Sequence, residues 1–372
     1  MVTQIDFTRQ WEVIGAEVLR AIGRVGASGR YILGREVEQF EEALAKAWGV
    51  RHAVGVGNGM DALEIGLRCL DLRPGEKVLT TPFSAFATTL AILRAGGIPV
   101  FVDVDDCGNI DLHQCRDVLT RDSSIHFLVP VHLYGNPLDH DKLAGLRSDF
   151  DLLVVEDCAQ AIGAKDRGRV VGTVGQVAAT SFYPTKNLGA LGDGGAVLTN
   201  DARFAERARR LRNYGQSAQY VHTEPGLNSR LDELHAAILR EALLPNVLAW
   251  TARRREIAAR YQIGLRHPDI QLLPVAPEAG AVWHLFPILV REGKRDALRQ
   301  YLRRCEIETG IHYPSIVPEQ PALAHTSSHH DHAVSVENAR HFARCELSLP
   351  IHPFLTAAEV DAVIGACNGW EG

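Results

Sequence analysis

Residues 181–195 read Ser181-Phe182-Tyr183-Pro184-Thr185-Lys186-Asn187-Leu188-Gly189-Ala190-Leu191-Gly192-Asp193-Gly194-Gly195. An apolar run, Val177 to Phe182, leads into this stretch, and a glycine-rich turn closes it. The pattern predicts a strand that stops just before the lysine. Most lysines are solvated surface charges, rarely buried unless paired. Lys186 instead stands at a strand end, where the site residues of open α/β sheets gather.

Outward from this stretch the chain alternates. Upstream, short apolar strands are expected at 53–56, 77–81, 98–104, 126–133 and 152–155. Between them fall segments with apolar residues at helical spacing: 62–70, 85–93, 111–119 and 139–146. A helix is also expected at 35–48, where Val37, Phe40, Leu44 and Trp48 recur on one face. Residues 1–30 read as an N-terminal arm and helix. Short, nearly continuous apolar strands alternating with helices predict an α/β fold with a mostly parallel sheet covered on both faces. Downstream come a strand at 195–199 and a helix at 202–214. A long helical region runs from 229 to about 266, with Pro245 expected to kink or break it. A smaller α/β unit follows. The expected division is residues 1–250, arm and large domain, and 251–372, small C-terminal domain.

Composition narrows the class. At 372 residues the chain exceeds most single cores. A net charge of −6 argues against a nucleic-acid surface. No apolar run reaches the ~18 residues that span a bilayer, and the N-terminus lacks the pattern of a secretory signal. Seven scattered cysteines without a CxxC read as free thiols in a reduced, cytoplasmic protein. The histidine-rich tract 325–332 lacks the spacing of a structural zinc site and reads as a solvated loop; no metal is expected.

Further features fall at strand ends of the same predicted sheet. Gly57-Asn58-Gly59-Met60-Asp61 opens a helix, so its free N–H groups suit a phosphate. Phe86 follows the 77–81 strand, and Asp157 and Gln160 follow the 152–155 strand. Ser181 and Lys186 complete the set. Each has an ordinary reading too: a strand-to-helix turn, core for Phe86, a helix N-cap for Asp157, a surface amide for Gln160. Their shared sheet edge favours one ligand, pyridoxal 5′-phosphate. Its aldehyde needs a lysine amine, its ring nitrogen an acidic partner, its phosphate N–H and hydroxyl donors, its ring an aromatic face.

Three motifs in order carry a resemblance: residues 156–164 (Glu156-Asp157-Cys158-Ala159-Gln160 and onward), 181–189, and Asn228-Ser229-Arg230-Leu231-Asp232-Glu233-Leu234. They resemble the DegT/DnrJ/EryC1/StrS family of pyridoxal-phosphate-dependent sugar aminotransferases, of aspartate-aminotransferase fold (fold type I). The likeness extends from Ile32-Leu33-Gly34 to Leu347-Ser348-Leu349-Pro350. It implies that Lys186 holds the cofactor and then moves the proton, that Asp157 pairs with the ring nitrogen, and that Gln160 bonds the ring-hydroxyl side. It implies Phe86 stacked on the ring, and Gly59, Met60 and Ser181 on the phosphate. Asn228 would reach the neighbouring subunit's phosphate in a homodimer. Tyr183, His312 and Tyr313 would line the substrate pocket. Met60 and Ala85 depart from the threonines many members carry, so side-chain phosphate contacts are fewer. Lysine at 186 argues against the histidine-bearing sugar 3-dehydratases. The resemblance implies a nucleotide-linked, dTDP-type 3-oxo-6-deoxyhexose as acceptor and L-glutamate as donor. A 4-oxo nucleotide sugar, a keto-cyclitol or a cofactor-binding regulator are the alternatives.

Overall fold

The computed structural model describes residues 1–276, 278–324, 331–332 and 335–372. The apolar runs form one sheet from β1 (His52–Val56), β2 (Lys77–Thr80), β3 (Ile98–Phe101), β4 (Phe127–Val129), β5 (Leu153–Asp157), β6 (Val177–Ser181) and β7 (Gly195–Thr199). The order is β1-β7-β6-β5-β4-β2-β3, with the short strand Asp331–His332 beside β3. Strand β7 runs antiparallel to both its neighbours, and the remaining pairings are parallel. Residues 325–330 of the histidine-rich tract lie outside the described residues.

Alternation along each strand serves two cores. Val78, Val155 and Val177 point to one face, where α3 (Gly59–Cys69) lays Leu63 and Leu67 on them and α7 (Ala202–Leu211) adds Ala205 and Leu211 to the same core. Leu79, Leu128 and Val154 point to the other, under Val118 of α5 (Leu112–Arg121) and Leu143 of α6 (His140–Asp149). Side chains two apart share a face, so a fully apolar strand buries both sides. Each fully buried Leu or Val contributes about 1.5–3 kcal/mol.

The N-terminal helices α1 (Phe7–Ser28) and α2 (Arg35–Trp48) pack outside this sheet with the short helix α8 (Glu233–Ile238). The helix that begins at α8 widens to a π-turn at Leu239–Leu243 and tightens to a 3₁₀ turn at Leu244–Asn246. Pro245 has no N–H to give and cannot continue the α-ladder. Helix α9 (Val247–Gly264) then runs unbroken across residue 250. Val247 lies in the core beneath α1 and α2, whereas Ile257, Ala258 and Tyr261 lie in the C-terminal core. That core covers the antiparallel sheet β8 (Ile270–Leu272), β9 (Phe286–Val290), β10 (Glu346–Leu349). Val2 joins it through a bridge to Ile307, so the chain's first residues pack with its last third. No helix among the described residues is long and apolar enough to cross a membrane.

Candidate active site

The C-terminal ends of β2, β5 and β6 and the N-terminus of α3 surround one cavity of about 410 Å³. Asp157 is the last residue of β5, so its carboxylate faces this crevice rather than capping a helix. Its Oδ2 accepts the Thr88 hydroxyl at 2.8 Å and its Oδ1 the Ala159 N–H at 3.0 Å. Behind it, buried Glu156 fixes the strand end. Its carboxylate accepts His132 Nε2 (3.0 Å) and the N–H groups of Gly172 (2.9 Å) and Gly175 (2.6 Å). The Leu138 N–H occupies His132 Nδ1, so the ring proton sits on Nε2. Burial works to raise the Glu156 pKa, but the His132 bond and the two amides prevail and hold it below the usual value.

Lys186 follows β6 in a tight turn. Its own N–H bonds the Tyr183 carbonyl at 2.8 Å, and Ala190 N–H returns to the Phe182 carbonyl at 2.7 Å. A Cβ at Gly189 would lie 2.1 Å from the Pro184 oxygen, so glycine is required there. Asn187 anchors the turn through Nδ2 to the Val282 carbonyl, 2.9 Å. Burial lowers the Lys186 pKa to about 8, with the Asp157 charge pulling the other way. A neutral amine is therefore available near neutral pH.

The phosphate-suited turn is present at α3. Asn58 Oδ1 takes the Asp61 N–H at 2.8 Å, leaving the Gly59 and Met60 amides without an intrahelical partner. A Cβ at Gly59 would come within 2.6 Å of Ser181 Cβ, so the helix end lies flush on the Ser181 strand end. Asn58, Gly59, Met60 and Ser181 all line the cavity with Asp157, Gln160, Tyr183 and Lys186. Gln160 Oε1 accepts the Tyr134 N–H at 2.7 Å, and its Nε2 donates to the Tyr313 hydroxyl at 3.1 Å. The second Nε2 hydrogen has no acceptor among the described residues. Through this bond Tyr313, and His312 beside it, border the site. Burial and the Lys186 charge depress the His312 pKa to about 4, and burial raises that of Tyr313.

Four expected residues are not part of the cavity wall itself: Tyr313 and His312 adjoin it behind Gln160, while Phe86 and Asn228 stand apart. Phe86 is the first residue of α4 (Phe86–Arg94), and its half-buried ring packs against the cluster of Phe101, Val317 and Leu323. Its neighbours Ala85 and Ala87 line the cavity. Asn228 is exposed, in a segment bridged to Asn213. The sequence reading missed Thr88, Tyr134 and Asp193. Thr88 follows the lining residues Ser84 and Ala85 by four and three positions, a helical phase visible only once the helix start is fixed.

Comparison with known proteins matches residues 12–368 to the DegT/DnrJ/EryC1/StrS aminotransferase family. A Streptomyces venezuelae protein, dTDP-3-amino-3,4,6-trideoxy-alpha-D-glucose transaminase, is 44% identical over 371 residues, covering 98% of this chain and 95% of that protein. A Geobacillus stearothermophilus pleiotropic regulatory protein is 39% identical over 365 residues, covering 98% and 96%. The crystal structure of S. venezuelae DesV in complex with a ketimine intermediate superposes with a TM-score of 0.93 at 43% identity, covering 99% of this chain and 98% of that one.

Proposed function

The chain belongs to the DegT/DnrJ/EryC1/StrS aminotransferase family, and from that premise we propose that it aminates C3 of a nucleotide-linked 3-oxo-6-deoxyhexose. The acceptor is a dTDP sugar, the donor L-glutamate and the cofactor pyridoxal phosphate. The observation that carries the reading is the pairing of Lys186 and Asp157 across one cavity that also holds a helix N-terminus. The name of the 44% identical relative supports the sugar and the carbon.

The donor set fits the cofactor. The Gly59 and Met60 amides and the Ser181 hydroxyl, brought flush by the absent Cβ of Gly59, suit a phosphate. Met60 offers no hydroxyl, so the backbone carries more of that contact. Asp157, held by Thr88 and Ala159, offers acceptor oxygens that keep a proton on a ring nitrogen. The free Nε2 hydrogen of Gln160 suits the ring hydroxyl. Bound pyridoxal phosphate supplies an aldehyde that captures amines and a ring that takes up electrons. Lys186 Nζ would provide the anchoring nucleophile and, once free, an amine able to hold the proton taken from the donor's Cα for its return two bonds away, beyond the nitrogen. Burial, by keeping that amine near neutrality, suits both tasks. Tyr183, His312 and Tyr313 orient the sugar.

Two further readings belong with this one. The protein works as a homodimer in which Asn228 serves the partner's phosphate site; its exposure, away from its own cavity wall, is what supports this. Its free cysteines suit a reduced cytoplasm. The name of the 39% identical relative favours a second function, a cofactor-binding regulator. One experiment separates the two. The purified holoenzyme is given glutamate with dTDP-linked 3-oxo and 4-oxo sugars in parallel, and NMR identifies the aminated carbon. Amination at C3 is expected. Cofactor absorbance without any aminated sugar would leave the regulator standing.

A further inference from the structure

The loop bearing His312 and Tyr313 is tied to both units. From the large unit, Gln160 holds the Tyr313 hydroxyl, and the Tyr134 hydroxyl donates to the His312 carbonyl at 2.5 Å. From the small unit come Glu346 and Ser348, both buried. They stand two apart on β10 and so share a face. The His312 backbone N–H donates to Glu346 Oε2 at 2.5 Å. Ser348 Oγ lies 2.5 Å from the other carboxyl oxygen, Oε1, and 2.9 Å from His312 Nδ1. His312 Nε2 makes no hydrogen bond among the described residues, yet it is not sealed from solvent. The ring is near enough to Lys186 to feel its charge.

We propose that Glu346 and Ser348 are positioning residues: through one hydrogen-bonded chain they set which nitrogen of His312 carries the ring proton, and so whether Nε2 meets a sugar oxygen as donor or acceptor. The contact with sugar rests on the function proposed above; the proton arrangement does not.

The donor count leaves two arrangements. A backbone N–H only donates, so Glu346 Oε2 carries no proton while it faces His312. A neutral Glu346 therefore has its O–H on Oε1 and donates to Ser348 Oγ. Ser348 then turns its own hydrogen to His312 Nδ1, and the ring proton sits on Nε2, a donor. An ionised Glu346 reverses the chain. Ser348 donates to Oε1 and accepts from Nδ1–H, and Nε2 presents its lone pair. The ring holds one proton in both states; only the Glu346 proton leaves to solvent.

The surroundings let this titration occur in the working range. Burial pushes the Glu346 carboxyl up to about 8, against the pull of the Ser348 and His312 N–H bonds and of the Arg295 charge. The depressed pKa of His312 keeps its ring neutral over that range, and burial does the same for His284, which faces it. The free Lys186 amine titrates in the same window, so the comparison with Glu346→Gln, which leaves Lys186 unchanged, isolates the carboxyl. The phenols of Tyr134 and Tyr313, which also face this carboxyl, are raised by burial and stay protonated. Below about 8, then, Nε2 donates; above it, Nε2 accepts.

The test uses holoenzyme with ¹⁵N-labelled histidine rings, followed between about pH 6.5 and 9.5. The His312 signals are those lost in His312→Asn. The wild type is expected to pass from Nε2–H to Nδ1–H. In Glu346→Gln the amide oxygen must face the His312 N–H and the NH₂ must donate to Ser348, so Nε2–H persists throughout. Ser348→Ala uncouples the ring from pH, and Ser348→Thr restores the coupling. For the keto sugar, KM in the wild type should change on the order of tenfold across the transition, the worth of one hydrogen bond, and Glu346→Gln should remove that change. The glutamate half-reaction should not share it. A Glu346→Gln ring that follows the wild type through the transition overturns the proposal, as does a wild-type ring that keeps one tautomer. Should Ser348→Ala fail to fold, Glu346→Gln decides. If no variant or wild type aminates any keto sugar, the proposed function falls while the ring spectra still judge the chain.

Discussion

A lysine can capture an aldehyde only as the free amine, and the ordinary lysine pKa leaves little of it at neutral pH. Lys186 is set apart by burial, which lowers its pKa to about 8 despite the opposing Asp157 charge. The charged form is the one burial disfavours, so the amine is mostly protonated below that value and mostly neutral above it. Apo-protein mixed with pyridoxal phosphate should therefore gain its visible absorbance faster as pH rises, levelling above about 8. A stopped-flow series across that range checks this. A rate still climbing steeply toward pH ~10.5, the unperturbed lysine value, would show that the amine is not desolvated. At this scale the sequence was most informative where chemistry sits at strand ends. Lys186, Asp157 and Ser181 could be placed because strands end where apolar runs end. Thr88 could not, because its bond to Asp157 joins residues 69 apart and depends on the helical phase of α4.

Elements explain a motif that residues alone do not. Helix α2 has at its N-cap Gly34, which has no side chain to cap the helix. The cap comes from Glu233 of α8. Its carboxylate accepts the N–H groups of Gly34 (2.7 Å), Glu36 (2.9 Å) and Val37 (3.1 Å). A Cβ at Gly34 would lie 2.7 Å from Glu233 Oε2, so the absent side chain lets the carboxylate in. Glu233→Ala should leave these amides without acceptors and destabilise the fold by about 2–3 kcal/mol, with Glu233→Gln intermediate. Urea unfolding reads the difference as a lowered midpoint at unchanged slope. Equal midpoints for Glu233→Ala and wild type would mean water caps the helix as well. The 228–234 motif was legible in sequence, but this use of Glu233 was not, since 199 residues separate it from Gly34. The break at Pro245 was legible because proline removes a donor wherever it stands. The reversal of β7 was not. A short apolar run looks the same in either direction, and β7 takes its place between β6 and β1 only through long-range pairing.

At the scale of the whole molecule the structure leaves one apolar face exposed beside the lysine turn. Helix α1 and the lysine turn form an apolar groove of about 500 Å³ lined by Phe7, Trp11, Ile14, Pro184, Ala190 and Leu191. Phe7, Trp11 and Leu191 are each more than 40% exposed, and an apolar patch of this kind marks an interface more often than a free face. In the proposed homodimer this groove is the surface a second copy covers, and Asn228 is the residue it lends to the neighbouring phosphate site. The two claims can be tested together by subunit mixing. Lys186→Ala subunits lack the amine, and Asn228→Ala subunits lack the donor, so each variant alone should be impaired. A hybrid dimer would hold one site with both residues intact, Lys186 from one chain and Asn228 from the other. If equal amounts reassort freely, half the dimers are hybrid, and about a quarter of the wild-type activity should return. Sedimentation of the mixture at twice 40.8 kDa would confirm that dimers carry it. Activity that stays at the sum of the separate variants would mean that each subunit builds its site alone. A fully active Asn228→Ala homodimer would remove Asn228 from the site altogether.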